Sequence, residues 1–547
     1  MRETALTSVP AAPAAATQSQ PRKLRVGLLA DAPLQPRWLI DAFAKVAASD
    51  FAEISVIAIF QEKKSKEATS SLSQLYAVLD RWAFGADPAQ LAELAPRVAH
   101  HVLVSRPSPA QLAELSLDVL FAVGALEDRA YDGVARHGVW RFCFGAEQRE
   151  SAARAGWREV AEEAPLTGSG IQVRLASGAP PRLAYQSWAR TYPLSVARNR
   201  DQLFAKTAEF AWRALRELQR SGSGWLEQCR LIRENQSQAP ISNREVLQML
   251  PALGGRLLRR GVEKALHVEQ WFIAFRFRET RPGDDRAIPD DLSGYTRILP
   301  PKDRLWADPF AIEKNGRYYV FFEEMPFAGA KGYISMLEIK RDGSWSAPVK
   351  VLERDYHLSY PFLLEHGGEL YMIPETAQNR AVELYRCIDF PLRWKLERPL
   401  LDGVRLVDAT LHRGAEHWWM FANASTPAWS LNDELHLFHA DDLLGNWRAH
   451  ARNPVKSDVR CARPAGSLYW RGGALYRPAQ ICAPHYGAGL SINRVLRLTP
   501  HDYAERQVER VLPVSREGLM GIHTVNRAGD LTVIDACARR RRLALSA

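Results

Sequence analysis

Five times between residues 306 and 535 the chain repeats one pattern. The segments are "WADPFAIEKNGRYYVFFEE" (306–324), "SYPFLLEHGGELYMIPET" (359–376), "VDATLHRGAEHWWMFAN" (407–423), "ARPAGSLYWRGGALYRPAQ" (462–480) and "GIHTVNRAGDLTVID" (521–535). Each holds a short apolar run, a turn and a second β-rich run. The turns fall at Gly316, Gly368, Glu416, Gly473 and Gly529, so successive gaps are 52, 48, 57 and 56 residues. Each of the first four is followed by another apolar run, as in "GYISMLEI" and "ELHLFHADDLLGNW". Four strands per unit at a period of about 50 residues indicate a β-propeller. Five units give five blades. The fifth unit lacks two strands after "DLTVIDACAR", and "WFIAFRF" (271–277) with "GYTRILPP" (294–301) stand upstream to supply them. Such sharing closes the ring and removes the exposed sheet edges.

The repeat also places polar residues. Seven positions after the turn stand Glu323, Glu375, Asn423 and Gln480, and six after the last turn stands Asp535. The first strands begin with Asp308, Tyr360, Asp408, Arg463 and His523. Antiparallel neighbours put the start of one strand beside the end of the next. Both sets are therefore expected on one face of the propeller, around its axis. Asp and Asn at hairpin ends also cap turns, which is the plainer explanation. Converging carboxylates, however, raise one another's pKa and make an acid and a base available together.

The remainder of the chain differs. "KLRVGLLAD" (23–31), "AEISVIAIF" (52–60) and "LDVLFAVG" (117–124) read as buried strands alternating with helical patterns, which indicates an α/β domain with a parallel sheet. No GxGxxG follows the first strand, so a dinucleotide fingerprint is absent. "RDQLFAKTAEFAWRALRELQR" (200–220) has helical spacing and should close this domain before the break at "SGSG". The expected organisation is a disordered leader (1–22), an α/β domain (23–220), a helical linker (221–267), the propeller (268–538) and a basic tail (539–547).

Leu117 to about Arg213 resembles the formyltransferase family, on "LDVLFAVGALEDRAYDGVARHGVWRFCFG", "APLTGSGIQVRL" and "YQSWARTYPLSVARNRDQLFAKTAEF". The resemblance implies a formyltransferase-like fold and a folate-borne formyl donor. The family's working Asn and His fall here on Arg141 and Cys143, and the third position has no Asp. Arginine cannot act as a neutral amide, and a thiol is a poor replacement for imidazole as a base. The expectation is a retained fold with that reaction lost, the domain acting as a scaffold or as a pocket for a nucleotide-like or sugar-like ligand.

A net charge of +10 favours an anionic partner. In the linker, "LGGRLLRRGVEKAL" carries Arg256, Arg259, Arg260 and Lys264 on a basic face, which suits either solvent or an anionic membrane. No stretch reaches membrane-span length. The six cysteines form no CxxC pair and suit a reducing compartment. A cytoplasmic protein is expected, with peripheral membrane contact as an option, and with no metal, cofactor or nucleic acid.

The Ala-Asp-Pro opening of the first blade resembles family 43 and related glycosidases. More specifically, residues 300–537 resemble the propeller domain of plant glucosamine inositolphosphorylceramide transferases and their bacterial relatives, on "WADPF", "YHLSYPFLLEHGGELYMIPET", "VDATLH", "WWMFAN", "RPAG", "YRPAQ" and "GIHT". The resemblance implies a glycan or glycolipid setting. Glycosyl chemistry needs two carboxyl groups across the anomeric carbon. Asp308 is the candidate base, Glu375 the acid and Asp408 the modulator of its pKa. Glu323, Tyr360, Asn423, Arg463, Gln480, His523 and Asp535 are candidates for binding a sugar or nucleotide-sugar. Arg463 and His523 suit a phosphate-bearing leaving group, which favours transfer over hydrolysis. Trp306, Trp418, Trp419 and Tyr360 could stack on sugars or fill the core. The alternatives are a non-catalytic glycan-binding or assembly protein and an amino-sugar N-formyltransferase.

Overall fold

The computed structural model describes residues 22–59, 71–84, 91–94, 102–103, 107–124, 128–147, 150–175, 178–233, 241–278, 294–424, 430–513 and 518–542. The leader up to residue 21, residues 279–293 and the tail from residue 543 lie outside them.

In the N-terminal half an eight-stranded sheet forms. Five strands run parallel, in the spatial order Val102–Leu103, Ala52–Ile59, Leu24–Ala30, Val119–Val123, Val139–Phe144. Leu166–Arg174, Arg182–Arg190 and Arg230–Leu231 extend it antiparallel, so the sheet is mixed where the sequence suggested only parallel strands. Continuous apolar runs make strands that bury both faces. Val26 and Leu28 pack with Phe43 and Leu215 on one side, while Leu29 packs with Leu112 and Tyr131 on the other. The helical stretch 200–220 is two helices, Val196–Thr207 and Phe210–Ser221, offset at Ala208-Glu209. Gly222, at φ 69°, ends the second.

The helix Asn243–Leu266 starts with a capping box between Ser242 and Glu245. It buries Val246, Met249 and Leu253, the first two against Trp157, Val160 and Val196. Arg256, assigned to the basic face by its spacing, is instead buried. Its guanidinium donates to the carbonyls of Val160 and Pro193 at 2.6 and 2.7 Å. A long arginine stem reaches backbone acceptors that an apolar side chain would leave unpaired. Among the described residues no helix is long and apolar enough to cross a membrane.

Five sheets form the propeller. The first blade is Arg304–Lys314, Arg317–Pro326, Tyr333–Ile339 and Val349–Leu352. The next three begin at Ser359–His366, Leu406–Arg413 and Tyr469–Arg471. The fifth combines Val525–Ala528 and Leu531–Arg541 with His267–Phe277 and Thr296–Ile298. His267 to Phe277 pair residue for residue with Arg541 to Leu531. The shared last blade read from the sequence is thus present. Arg539–Arg541, assigned to a tail, belong to its closing strand. Each interface between successive blades carries its own apolar cluster, such as Phe321, Met336, Met372 and Trp394 between the first and second. Others lie between the third and fourth (Phe421, Leu437, Ala462) and the fifth and first (Phe275, Val320, Val533). Trp306, Trp418 and Trp419 are buried in these clusters and fill core rather than offering faces to a sugar.

The two halves meet through buried charges. Lys206 Nζ lies 2.7 Å from Asp433 Oδ2, with both side chains almost wholly covered. Arg213 forks onto Glu434 at 2.6 and 3.0 Å. Ser187 Oγ meets Ser457 Oγ at 2.9 Å, and Val459 N donates to Trp188 O. Burial raises the Asp433 carboxyl even beside Lys206, so the pair contributes little net stability but is costly to break. Asp433→Ala, which strands Lys206, is expected to cost about 3–5 kcal/mol in chemical denaturation. The double variant Lys206→Met, Asp433→Leu should recover most of that loss.

Candidate functional site

The mouth of the propeller is built by a recurring backbone device. In blades one, two and three the first strand carries a bulge, between Ala307 and Phe310, Ser359 and Phe362, and Val407 and Thr410. At each bulge one non-glycine residue turns left-handed: Asp308 at φ 51°, Tyr360 at 44° and Asp408 at 54°. A bulge re-aims a side chain that the pleat would send elsewhere. Left-handed backbone at such residues costs on the order of 1–3 kcal/mol each and persists where its surroundings hold it.

Two charge clusters result. In the first, Asp308 Oδ1 lies 3.2 Å from His523 Nε2 and accepts from Thr524 Oγ1 at 2.7 Å. Asp535 Oδ2 lies 2.9 Å from His523 Nδ1 and accepts the Asp308 N–H, while its Oδ1 accepts the N–H groups of His523 and Thr524. All four side chains are buried. Burial opposes charge on His523, but Asp535 and Asp308 outweigh it and push the imidazole up to about 10. Burial would also raise Asp308, yet His523, Thr524 and Arg463 hold it below its ordinary value. One ligand atom from each of Asp308, His523 and Asp535 lies within 4.8 Å of the others, a spacing that could hold a cation. The charged imidazole already supplies the positive charge those carboxylates need.

In the second cluster, Arg463 Nε and Nη2 fork onto Asp408 at 2.6 and 3.1 Å. Its Nη1 donates to Asn432 Oδ1 at 2.8 Å, and its Nη2 lies 3.9 Å from Glu375 Oε2. Gln480 Nε2 donates to Asp408 Oδ2. Burial, then Asp408, push Glu375 up to about 8, against the pull of Arg463. Burial raises Asp408 as well, with Arg463 opposing. Glu323, beside His357 at 3.5 Å, is raised well above its ordinary value by burial, then Asp308 and Glu375. One mouth therefore holds carboxyls pushed toward the protonated form, Asp308 held toward the ionised one, and two cations, His523 and Arg463.

Of the ten positions singled out by the repeat, eight lie in or against these clusters. Tyr360 does not face a ligand. Its ring is in the core and its hydroxyl bonds Thr410 and the Gly466 N–H. Asn423 occupies the register of Glu323 and Glu375 but donates to the Leu431 carbonyl. His357, Asn432, Tyr486, Trp271 and Thr524 escaped sequence reasoning. Tyr486 lies under Arg463, and Trp271 packs on His523 at 4.2 Å between ring centres. Four of these five stand outside the aligned ends of the repeat, and Thr524, one residue past His523, lies beside its aligned position. In the N-terminal domain Arg141 pairs with Asp128, and Cys143 is wholly buried with its thiol pushed up by burial. Such a thiol is no base, which speaks against formyl transfer there.

The propeller has known counterparts. Residues 301–533 match the family described as glucosamine inositolphosphorylceramide transferase 1, N-terminal. Proteins named glucosamine inositolphosphorylceramide transferase 1 from rice (Oryza sativa subsp. japonica) and Arabidopsis thaliana are 33% and 32% identical over 216 residues, 39% of this chain. That segment is 29% and 28% of their lengths, so the chain spans under a third of these curated relatives. Among solved structures, a family 117 glycoside hydrolase from Zobellia galactanivorans is 11% identical with a TM-score of 0.32, covering 49% of this chain and 90% of that one. A thermostable family-43 glycoside hydrolase is 13% identical at 0.33, covering 43% and 89%. At that identity these two carry nothing about the residues of the site.

The His523 pair predicts a pH dependence. Its folded value, about 10, exceeds the ordinary 6.5. Its contribution to stability is complete below pH 6.5 and is lost as pH rises toward 10. Glu375 is half titrated at about pH 8 and Glu323 is also raised well above its ordinary value, so the part of the fall in urea midpoint toward pH 10 that depends on the imidazole reports His523. His523→Gln should flatten that stretch of the profile.

Proposed function

We propose that the mouth transfers a glycosyl group between a phosphate-activated sugar and a glycolipid acceptor. The observation that supports this is the opposite displacement of two carboxyls in one mouth: Glu375 pushed up to about 8 and Asp308 held down. Groups whose surroundings drive their pKa values apart divide into acid and base. Glu375 protonates the leaving oxygen, Asp308 accepts the proton of the attacking hydroxyl, and Asp408 sets Glu375's proton affinity while orienting Arg463. Arg463, partly exposed beside Glu375, meets the leaving phosphate. The name of the plant relatives agrees with a sugar donor and an inositolphosphorylceramide-type acceptor. Work at the cytoplasmic face of a membrane belongs to the same proposal.

A second reading, glycan binding without turnover, is favoured by the burial of Asp308 and its bonds to His523 and Thr524. Turnover of nucleotide-sugars with an inositol-phosphate lipid separates the two. Under the transfer reading, Glu375→Gln and Asp308→Asn each lower kcat by about 10²-fold or more. The wild-type rate falls as pH rises through about 8, where Glu375 loses its proton, and the Gln variant lacks that limb. Sugar binding with no turnover, unchanged in both variants, would establish the second reading.

A further inference from the structure

The helix Asn243–Leu266 buries only one side. Val246, Met249, Leu253 and Arg256 face the protein. On the opposite side Leu247, Leu250, Leu257, Leu258, Val262 and Leu266 are exposed, Leu247 at 59% and Leu258 at 71%. Their spacing of 3, 7, 1, 4 and 4 residues keeps them on one stripe of a 3.6-residue helix. Six large aliphatic side chains in one exposed stripe form a patch that a protein in water rarely leaves uncovered.

Charge says what covers it. Arg244, Arg260 and Lys264 stand on this helix with no carboxylate in ion-pair contact among the described residues. The end of the ring-closing strand lies against its C-terminal turn, where Arg542 donates to the carbonyls of Lys264 and His267. That brings Arg539 to Arg542, four consecutive arginines, to the same end. Arg539 pairs with Glu263 on the helix. An apolar stripe with a cationic border is the pattern of a helix lying in the plane of a lipid interface. Each Lys or Arg near an anionic surface adds about 1 kcal/mol of attraction.

We propose that this helix docks the protein on an anionic lipid surface, its leucine stripe entering the acyl boundary and the arginines meeting the headgroups. The basic face read from the sequence is thereby redrawn: Arg256 is inside, and the contact is a leucine stripe with cations at its border. The proposal stands on the helix and the strand end beside it and does not depend on the chemistry of the propeller mouth.

Flotation of the full-length chain with lipid vesicles tests it without an activity assay. Phosphatidylcholine vesicles containing phosphatidylserine should bind at least about tenfold more tightly than phosphatidylcholine alone, and added salt should erode the difference. Leu257→Gln with Leu258→Gln should lower that binding by about tenfold or more without shifting the melting temperature, because both side chains are exposed. Arg260→Gln with Lys264→Gln should weaken binding to the anionic vesicles alone. Absence of vesicle binding, equal binding to both vesicle types, or binding untouched by the leucine pair overturns the proposal. So does a dimer in sedimentation that the leucine pair converts to monomer without vesicle binding, since the stripe would then be an interface between copies.

Discussion

Five sheets closed into a ring leave their first strands facing one another across an axis. Polar side chains that begin those strands are then driven together. Closure rests on the ladder between His267–Phe277 and Leu531–Arg541, which joins strands more than two hundred residues apart in the chain. Without it Leu531–Arg541 would be an exposed sheet edge, and the apolar packing of the fifth blade on the first, which keeps Asp308 beside His523 and Asp535, would lose Ile273 and Phe275. The apolar clusters between blades set the spacing of the ring, and the bulges aim its contents.

Carboxylates collected in a dry place must be neutralised. This mouth does so in two ways. Asp308 and Asp535 share one imidazolium, and Asp408 takes a forked guanidinium. Glu323 and Glu375 keep their protons instead. The division yields an acid next to a base as a by-product of electrostatic necessity. It also links the halves of the molecule. Asn432, which holds Arg463, directly precedes Asp433 and Glu434, which anchor Lys206 and Arg213 of the N-terminal domain. The guanidinium that meets Asp408 and Glu375 is thus seated one residue from the domain contact.

Much of this was legible in the sequence, for a physical reason. Four-stranded units repeated along a chain close into a ring, so counting the units gave blade number, and the antiparallel meeting of strand starts and ends gave the face on which Asp308, Glu375, Asp408, Arg463 and His523 meet. Spacing does not say which side chains fill the axis. Tyr360 stands at the position of Asp308 and Asp408 with the same left-handed backbone, yet it went into the core because its ring is large and apolar. His357 and Tyr486 come from loops that obey no period. Helical spacing could not separate Arg256 from Arg260, since only the partner surface decides which arginine lies inside.

The ladder has one more consequence, in time rather than in space. The strand His267–Phe277 emerges from the ribosome before any other part of the ring, and its partner Leu531–Arg541 follows every other blade strand. Blades one to four can assemble as they appear, whereas the first-made strand must wait with an open flank until the last is synthesised. During that interval the leucine-bearing helix joined to it is already complete, so its exposed stripe is available to a surface before the mouth of the ring exists.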